Sequence, residues 1–228
     1  MGRRSLPKLD PTLDLSRHLQ VFEPWPENWQ PESRFARPAP LEIEVGSGKG
    51  LFMAAAATAE PEKNFIGIEI AERYARYAAS RLKKRGLENA YMVAANAERV
   101  FQELISAASL AAVHVYFPDP WWKARHRRRR VMNESFVRNV ERVLLPGGKL
   151  HFWTDVEEYY EATLELLRAV TTLNGPHAVP ERPADHDFDY RTNYERRTRI
   201  HGAPVYRSEF RKPEREDREP GAKSPSLQ

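Results

Sequence analysis

The residues most able to do chemistry fall in a few short stretches. Glu44 stands two residues ahead of Gly46-Ser47-Gly48-Lys49-Gly50, and Glu69 lies nineteen residues beyond Gly50. Asn96 follows, and then Phe117-Pro118-Asp119-Pro120-Trp121-Trp122 runs directly into Lys123-Ala124-Arg125-His126-Arg127-Arg128-Arg129-Arg130. Closely spaced glycines let a turn take positive φ and let a ligand approach the backbone. A carboxylate at the mouth of such a turn repels a pyrophosphate and attracts a cation. An acidic residue ending the next strand can accept from both hydroxyls of a ribose, and an Asn amide can read a purine edge. The plain alternatives are a surface Glu at a strand end and a turn-forming Asn. Two prolines stiffen the loop around Asp119. Trp121 and Trp122 offer flat apolar surface, suited to packing or to stacking on a base. The basic run carries six full charges in eight residues, a density that repels itself until a polyanion neutralises it. A solvated face is its bland reading. Its closeness to Asp119 argues for phosphate contacts, which give affinity with little sequence choice.

Three nucleotide readings compete for the glycine turn. A phosphate loop needs Gly, four residues, then Gly-Lys-Ser/Thr. Here Ile43 stands at the first glycine position and Gly50 follows Lys49, so that reading fails. A dinucleotide turn needs Gly-x-Gly-x-x-Gly, and the third glycine comes one residue early. Glu44 disfavours that ligand as well. S-adenosylmethionine, with a sulfonium and an amino group, suits a carboxylate in this place.

These groups need elements to position them. Apolar runs at 41–45, 65–70, 90–95, 111–117 and 149–154 read as strands, and 204–210 as a last one. Helical patterns lie between them: 51–59, ended by Pro61; 71–85, stopped by Gly86; a segment around 98–108; and one capped by Asn133, with Phe136, Val137, Val140, Val143 and Leu144 on its apolar face. Pro146-Gly147-Gly148 turns the chain into the strand at 149. Asp155, with Glu158 three positions on, reads as a capping box for a further helix. Repeated strand–helix units imply a doubly wound parallel sheet with helices on both faces. Residues 1–40 read as a basic, partly helical arm and a Pro-rich connector, 41–210 as the main domain, and 211–228 as a charged, disordered tail.

With 41% hydrophobic residues the chain can bury one substantial core. Its net charge of +4 is mild, so the clustering of charge matters more than the sum. It has no cysteine, which excludes disulfides and thiolate metal sites and fits a cytoplasmic protein. No metal is expected. The N-terminus has no apolar stretch resembling a secretory signal, and no apolar run is long enough to span a membrane. Monomer and homodimer are equally compatible with the sequence.

The chain resembles the tRNA (guanine-N7-)-methyltransferases. The resemblance is carried by residues 44–50, Gly67-Ile68-Glu69, Asn96-Ala97, the block from Phe117 to Trp121 with its basic continuation, Pro146-Gly147-Gly148, Thr154-Asp155 and Thr192-Asn193-Tyr194-Glu195. It implies a class I methyltransferase with a mostly parallel seven-stranded sheet, using S-adenosylmethionine and acting on guanosine 46 of the tRNA variable loop. By it Glu44, Gly46, Gly48, Glu69, Asn96 and Asp119 bind the cofactor, with Asp119 the catalytic candidate. Lys123, Asp155, Thr192, Asn193, Tyr194 and Glu195 contact the guanosine. Arg125, His126, Arg127, Arg128, Arg129 and Arg130 meet RNA. Trp122 departs from the pattern, standing where many relatives have Pro.

Overall fold

Strands buried on both faces of a sheet are apolar throughout rather than alternating, and the computed structural model places such runs at its centre. It describes residues 6–184, 186 and 189–214. The strands are β1 (Leu19–Val21), β2 (Leu41–Val45), β3 (Asn64–Glu69), β4 (Ala90–Ala94), β5 (Leu110–Tyr116), β6 (Leu144–Thr154), β7 (Asn174–Ala178) and β8 (Tyr206–Arg211). The helices are α1 (Leu51–Ala59), α2 (Glu72–Lys84), α3 (Ala97–Glu103), α4 (Glu134–Val143), α5 (Glu157–Val170) and α6 (Asn193–Ile200). The sheet order is β1-β4-β3-β2-β5-β6-β8-β7, parallel up to β6 and antiparallel at β8 and β7.

Two apolar layers sandwich this sheet. Phe52 and Met53 of α1 and Ala75, Ala78 and Leu82 of α2 cover one face. Val100 and Phe101 of α3, Phe136 and Val140 of α4 and Tyr159 and Leu164 of α5 cover the other. Small residues let α1 and α2 approach closely: a Cβ on Gly50 would lie 2.6 Å from that of Ala78.

The structure corrects the sequence reading in several places. Among the described residues the sheet has eight strands rather than seven. The additional one, β1, lies in the segment expected to be arm and connector. It pairs with the outer edge of β4, and Phe22 just beyond it packs edge-on against Trp25 and Trp29. No helix forms between residues 6 and 19, where Asp10 and Asp14 instead accept from the backbone of Thr12 and Ser16 in local turns. Pro146-Gly147-Gly148 is an irregularity inside β6, which pairs with β5 at Leu144 and again from Lys149. Asp155 is not the cap of α5. The helix starts one residue later, with Val156 at the N-cap and its N–H bonded to the Thr154 hydroxyl. Glu158 pairs with Arg130 instead of closing a capping box. Asn133 does cap α4, accepting from the Phe136 N–H at 3.0 Å. β8 runs through Arg211, one residue past the expected tail boundary, and the tail from 215 lies outside the described residues.

Candidate active site

The parallel strands bring the C-terminal ends of β2, β3, β4, β5 and β6 to one edge, the place where doubly wound sheets bind ligands. Glu44, Glu69, Asn96, Asp119 and Asp155 all lie at or just beyond those ends.

Glu44 is buried, and among the described residues its Oε2 has no hydrogen-bond partner. Burial pushes its carboxyl up to about 8, the nearby charge of Glu69 adds to the rise, and hydrogen bonding from Ser47 offsets only part. Glu69 is held differently. Its Oε2 accepts from the Gly48 N–H and its Oε1 from the Ala71 N–H, each at 2.9 Å. Gly48 makes this possible with φ +52°, a left-handed backbone that turns its N–H back towards β3. Gly46 shares the left-handed conformation and donates to the Ile68 carbonyl. Asn96 is exposed and caps α3, its Oδ1 accepting from the Arg99 N–H at 3.2 Å.

Beyond β5 the backbone is bent hard: Phe117 has φ +50° and Trp121 φ +45°. Asp119 lies between them, exposed. The basic run forms a 3₁₀ helix, Ala124–Arg129. His126 meets Trp121 edge-on, and the Arg129 guanidinium lies 5.1 Å from the Trp121 ring centre. Lys123, Arg125, Arg128 and Arg129 are exposed, and Trp122 is 66% exposed. Nothing is described for the side chain of Arg127. Arg130 breaks from its neighbours. It is buried, donates from Nε to the Pro120 carbonyl at 2.7 Å, reaches Glu158, and lies over Tyr159. It fastens the Asp119 loop to α5.

The stretch 192–195 opens α6. Thr192 caps it by accepting from the Glu195 N–H at 3.0 Å, while Asn193 and Tyr194 are exposed. A bond from the Thr198 hydroxyl to Asp155, at 3.4 Å, links α6 to the end of β6. Glu195 is buried and fully engaged: Arg207 at 3.2 Å and Arg199 at 3.5 Å reach Oε1, and the Arg191 N–H reaches Oε2 at 2.6 Å.

The sequence reading missed a polar chain along the sheet face under α1. Lys63 pairs with Glu42 at 2.9 Å, Glu42 meets His114 Nε2 at 2.8 Å, and His114 Nδ1 meets the Tyr116 hydroxyl at 2.9 Å. His151 stacks on His114 with ring centres 4.9 Å apart. Burial would raise the Glu42 carboxyl, but bonding and charge from His114 and Lys63 outweigh it and hold it at about 2. Burial lowers both histidines. The Glu42 carboxylate accepts from His114 Nε2. Only the coincidence of polar residues at alternate positions of β2, β5 and β6 hinted at this chain.

A doubly wound sheet of this order, with a glycine turn and acidic strand ends at its carboxyl edge, defines a class I S-adenosylmethionine-dependent methyltransferase. Solved structures share the fold. The aminoglycoside resistance methyltransferase NpmB1 is 20% identical with a TM-score of 0.53, covering 79% of this chain and 91% of that one. An O-methyltransferase from Thermotoga maritima is 19% identical with a TM-score of 0.50, covering 78% and 61%. A family model described as "Putative methyltransferase" matches residues 38–208. A tRNA (guanine-N7-)-methyltransferase of Rhodopirellula baltica is 47% identical, covering 93% of this chain and 80% of its own. Proteins of the same name from Alcanivorax borkumensis and Myxococcus xanthus are 36% and 34% identical, covering 92% and 85% of this chain and 85% and 92% of their own. The chain belongs to the tRNA (guanine-N7-)-methyltransferase family.

The residues present fit the methyl donor. A buried carboxylate oxygen without a partner, at the end of β2, calls for a cationic ligand group. Among the described residues no three His, Asp or Glu side chains gather as a metal site, and no helix is long and apolar enough to cross a membrane.

Proposed function

We propose that this protein, in the cytoplasm, transfers a methyl group from S-adenosylmethionine to N7 of the guanosine at position 46 in the variable loop of tRNA. The observation that carries the reading is the unpartnered Oε2 of Glu44, buried at the same sheet edge as Asp119 and the basic helix. When bound, S-adenosylmethionine supplies an electrophilic methyl. Glu44 accepts from the cationic part of the cofactor, and Glu69 accepts from the ribose with lone pairs that Gly48 and Ala71 leave over. Asn96 faces the adenine, while Gly46 and Gly48 allow close backbone approach.

Guanine N7 carries a lone pair and no proton, so no residue is asked to act as a general base. The work left to the protein is alignment and electrostatics. Asp119 stabilises positive charge developing on the guanine. Lys123, Asp155, Asn193 and Tyr194 surround the base, with Thr192 and Glu195 fixing the start of α6 that carries two of them. Arg125, His126, Arg127, Arg128 and Arg129 meet the tRNA backbone, with Arg130 holding the loop that carries them.

The test is transfer of labelled methyl to a tRNA transcript and to the same transcript with adenosine in place of the variable-loop guanosine. Label in the first alone supports the assignment. Label in both refutes the site, and label in neither refutes the activity. Asp119→Ala should collapse turnover while leaving tRNA affinity nearly unchanged; wild-type turnover would remove Asp119 from its role.

A further inference from the structure

Tryptophan carries a large apolar ring, and leaving that ring in water forfeits the gain of burying it. Four of the five tryptophans are sheltered. Trp29 and Trp153 are buried, and Trp25 and Trp121 are partly buried beneath the guanidinium groups of Arg99 and Arg129. Trp122 is 66% exposed, and among the described residues no ring or guanidinium is stacked on it. The loop builds this exposure in. Trp121 has φ +45°, a backbone that bulky residues rarely adopt and that persists only where its surroundings fix it. His126 and Arg129 fix the Trp121 ring, and the buried Arg130 fastens the Pro120 carbonyl just ahead of it. With the chain turned at Trp121 and that ring engaged, the next ring is left in solvent.

Exposed aliphatic residues such as Ile70 and Ile200 lie singly on the surface, as is ordinary. Trp122 differs in its company: Lys123, Arg125, Arg128 and Arg129 follow it, all exposed. A flat ring among exposed cations is the make-up of a single-strand nucleic-acid site, where cations track phosphates and the ring stacks on a base. A second copy of this chain would meet the patch with like charge, which disfavours self-association there. The reach also fits. Trp122 is three residues from Asp119, so their Cα atoms lie within about 11 Å, the span of about three stacked nucleotides. We propose that Trp122 is a stacking platform for an unpaired base of the tRNA beside the target guanosine. This rests on the activity proposed above, and it adds a base contact to a surface otherwise read as meeting phosphates. Stacking tolerates any base, so the ring places the strand against the Asp119 loop and leaves the choice of guanine to other groups.

The test compares tRNA binding and methyl transfer by wild type, Trp122→Ala and Trp122→Phe. Trp122→Ala should weaken tRNA binding about five- to a hundredfold, and Trp122→Phe, which keeps a ring, should recover most of the loss. The loss should fall on KM for tRNA rather than on kcat. The slope of log affinity against log salt should stay at its wild-type value, because stacking releases no counterions. On a transcript made abasic at both nucleotides flanking the target guanosine, wild type should lose a similar factor, while Trp122→Ala should bind the abasic and intact transcripts alike. Wild-type affinity in Trp122→Ala, a lowered salt slope, equal losses in the Ala and Phe variants, or an undiminished preference of Trp122→Ala for the intact transcript would each overturn the platform. So would slower or faster sedimentation of free Trp122→Ala, which would set the ring against a second copy of the chain. Methylation of the intact transcript by wild type separates the two claims. If it is present while Trp122→Ala binds as wild type does, only the platform fails; if it is absent, the activity itself fails.

Discussion

Glu44 and Glu195 are both 3% exposed, yet their surroundings are opposite. Glu195 sits among Arg207, Arg199 and the Arg191 amide, and its charge is met within the protein. Among the described residues Glu44 pairs with no cation and keeps one oxygen unpartnered, and burial pushes its carboxyl up to about 8. Burial of a carboxylate therefore does not by itself mark a ligand site. The missing partner does, because an uncompensated buried charge is costly unless a ligand completes it. Glu195 reads as the fastening of α6, and Glu44 as the seat of a cation.

The largest expected effect is on the fastening. Glu195→Ala would remove the buried partner of Arg207 and Arg199, leaving them only the half-exposed Glu181, and would leave the Arg191 N–H without its acceptor. It should cost about 3–5 kcal/mol of stability, measured by urea unfolding. S-adenosylmethionine affinity should stay near wild type under conditions where the variant is folded. A variant as stable as wild type would erase the distinction.

Glu44→Gln should do the reverse, cutting activity about a hundredfold or more while stabilising the fold. The sign follows from linkage. Its folded carboxyl is held at about 8 against an ordinary value of 4.5, so the folded state binds the extra proton and wild-type stability falls as pH rises from 4.5 to 8. Thermal melts at pH 8.5 should favour Gln by about 2–4 kcal/mol, and melts near pH 4.5 should nearly coincide. Equal melts at pH 8.5 would contradict the buried, uncompensated state of Glu44.

The basic run repeats the contrast on a smaller scale. Arg130→Ala should cost about 1–3 kcal/mol, because its charged donor serves the Pro120 carbonyl. Replacing Arg125, Arg128 and Arg129 with Gln should leave stability unchanged. It should instead lower the slope of log affinity for tRNA against log salt by about 2–3. An unchanged slope would remove the phosphate-contact role.

Much of the cofactor half was legible in the sequence. β2, the glycine turn and α1 announce themselves by an apolar run, glycines at alternate positions and a second apolar run, and the β3 end that carries Glu69 follows the same logic. The substrate half was harder to read. α6, Asn-Tyr-Glu-Arg-Arg-Thr-Arg-Ile, has no apolar stripe, since what it buries is Glu195 and Thr198. β7 is exposed along its length and contains Gly175 and Pro176, which an edge strand tolerates and a sequence pattern hides. Arg130 is indistinguishable in sequence from Arg129. Only its tertiary partners, Pro120, Glu158 and Tyr159, turn it inward. Asp155 missed the cap position by one residue because the Thr154 hydroxyl already met the Val156 N–H.

Calorimetric binding of S-adenosylmethionine at pH 7, repeated in two buffers of different ionisation enthalpy, tests the central claim most directly. With its carboxyl at about 8 in the free protein, Glu44 must lose its proton to receive a cation. Wild type should therefore release about one proton on binding, and Glu44→Gln should bind far more weakly and release none. Tight binding by Glu44→Gln, with the same heat in both buffers for both proteins, would contradict the account.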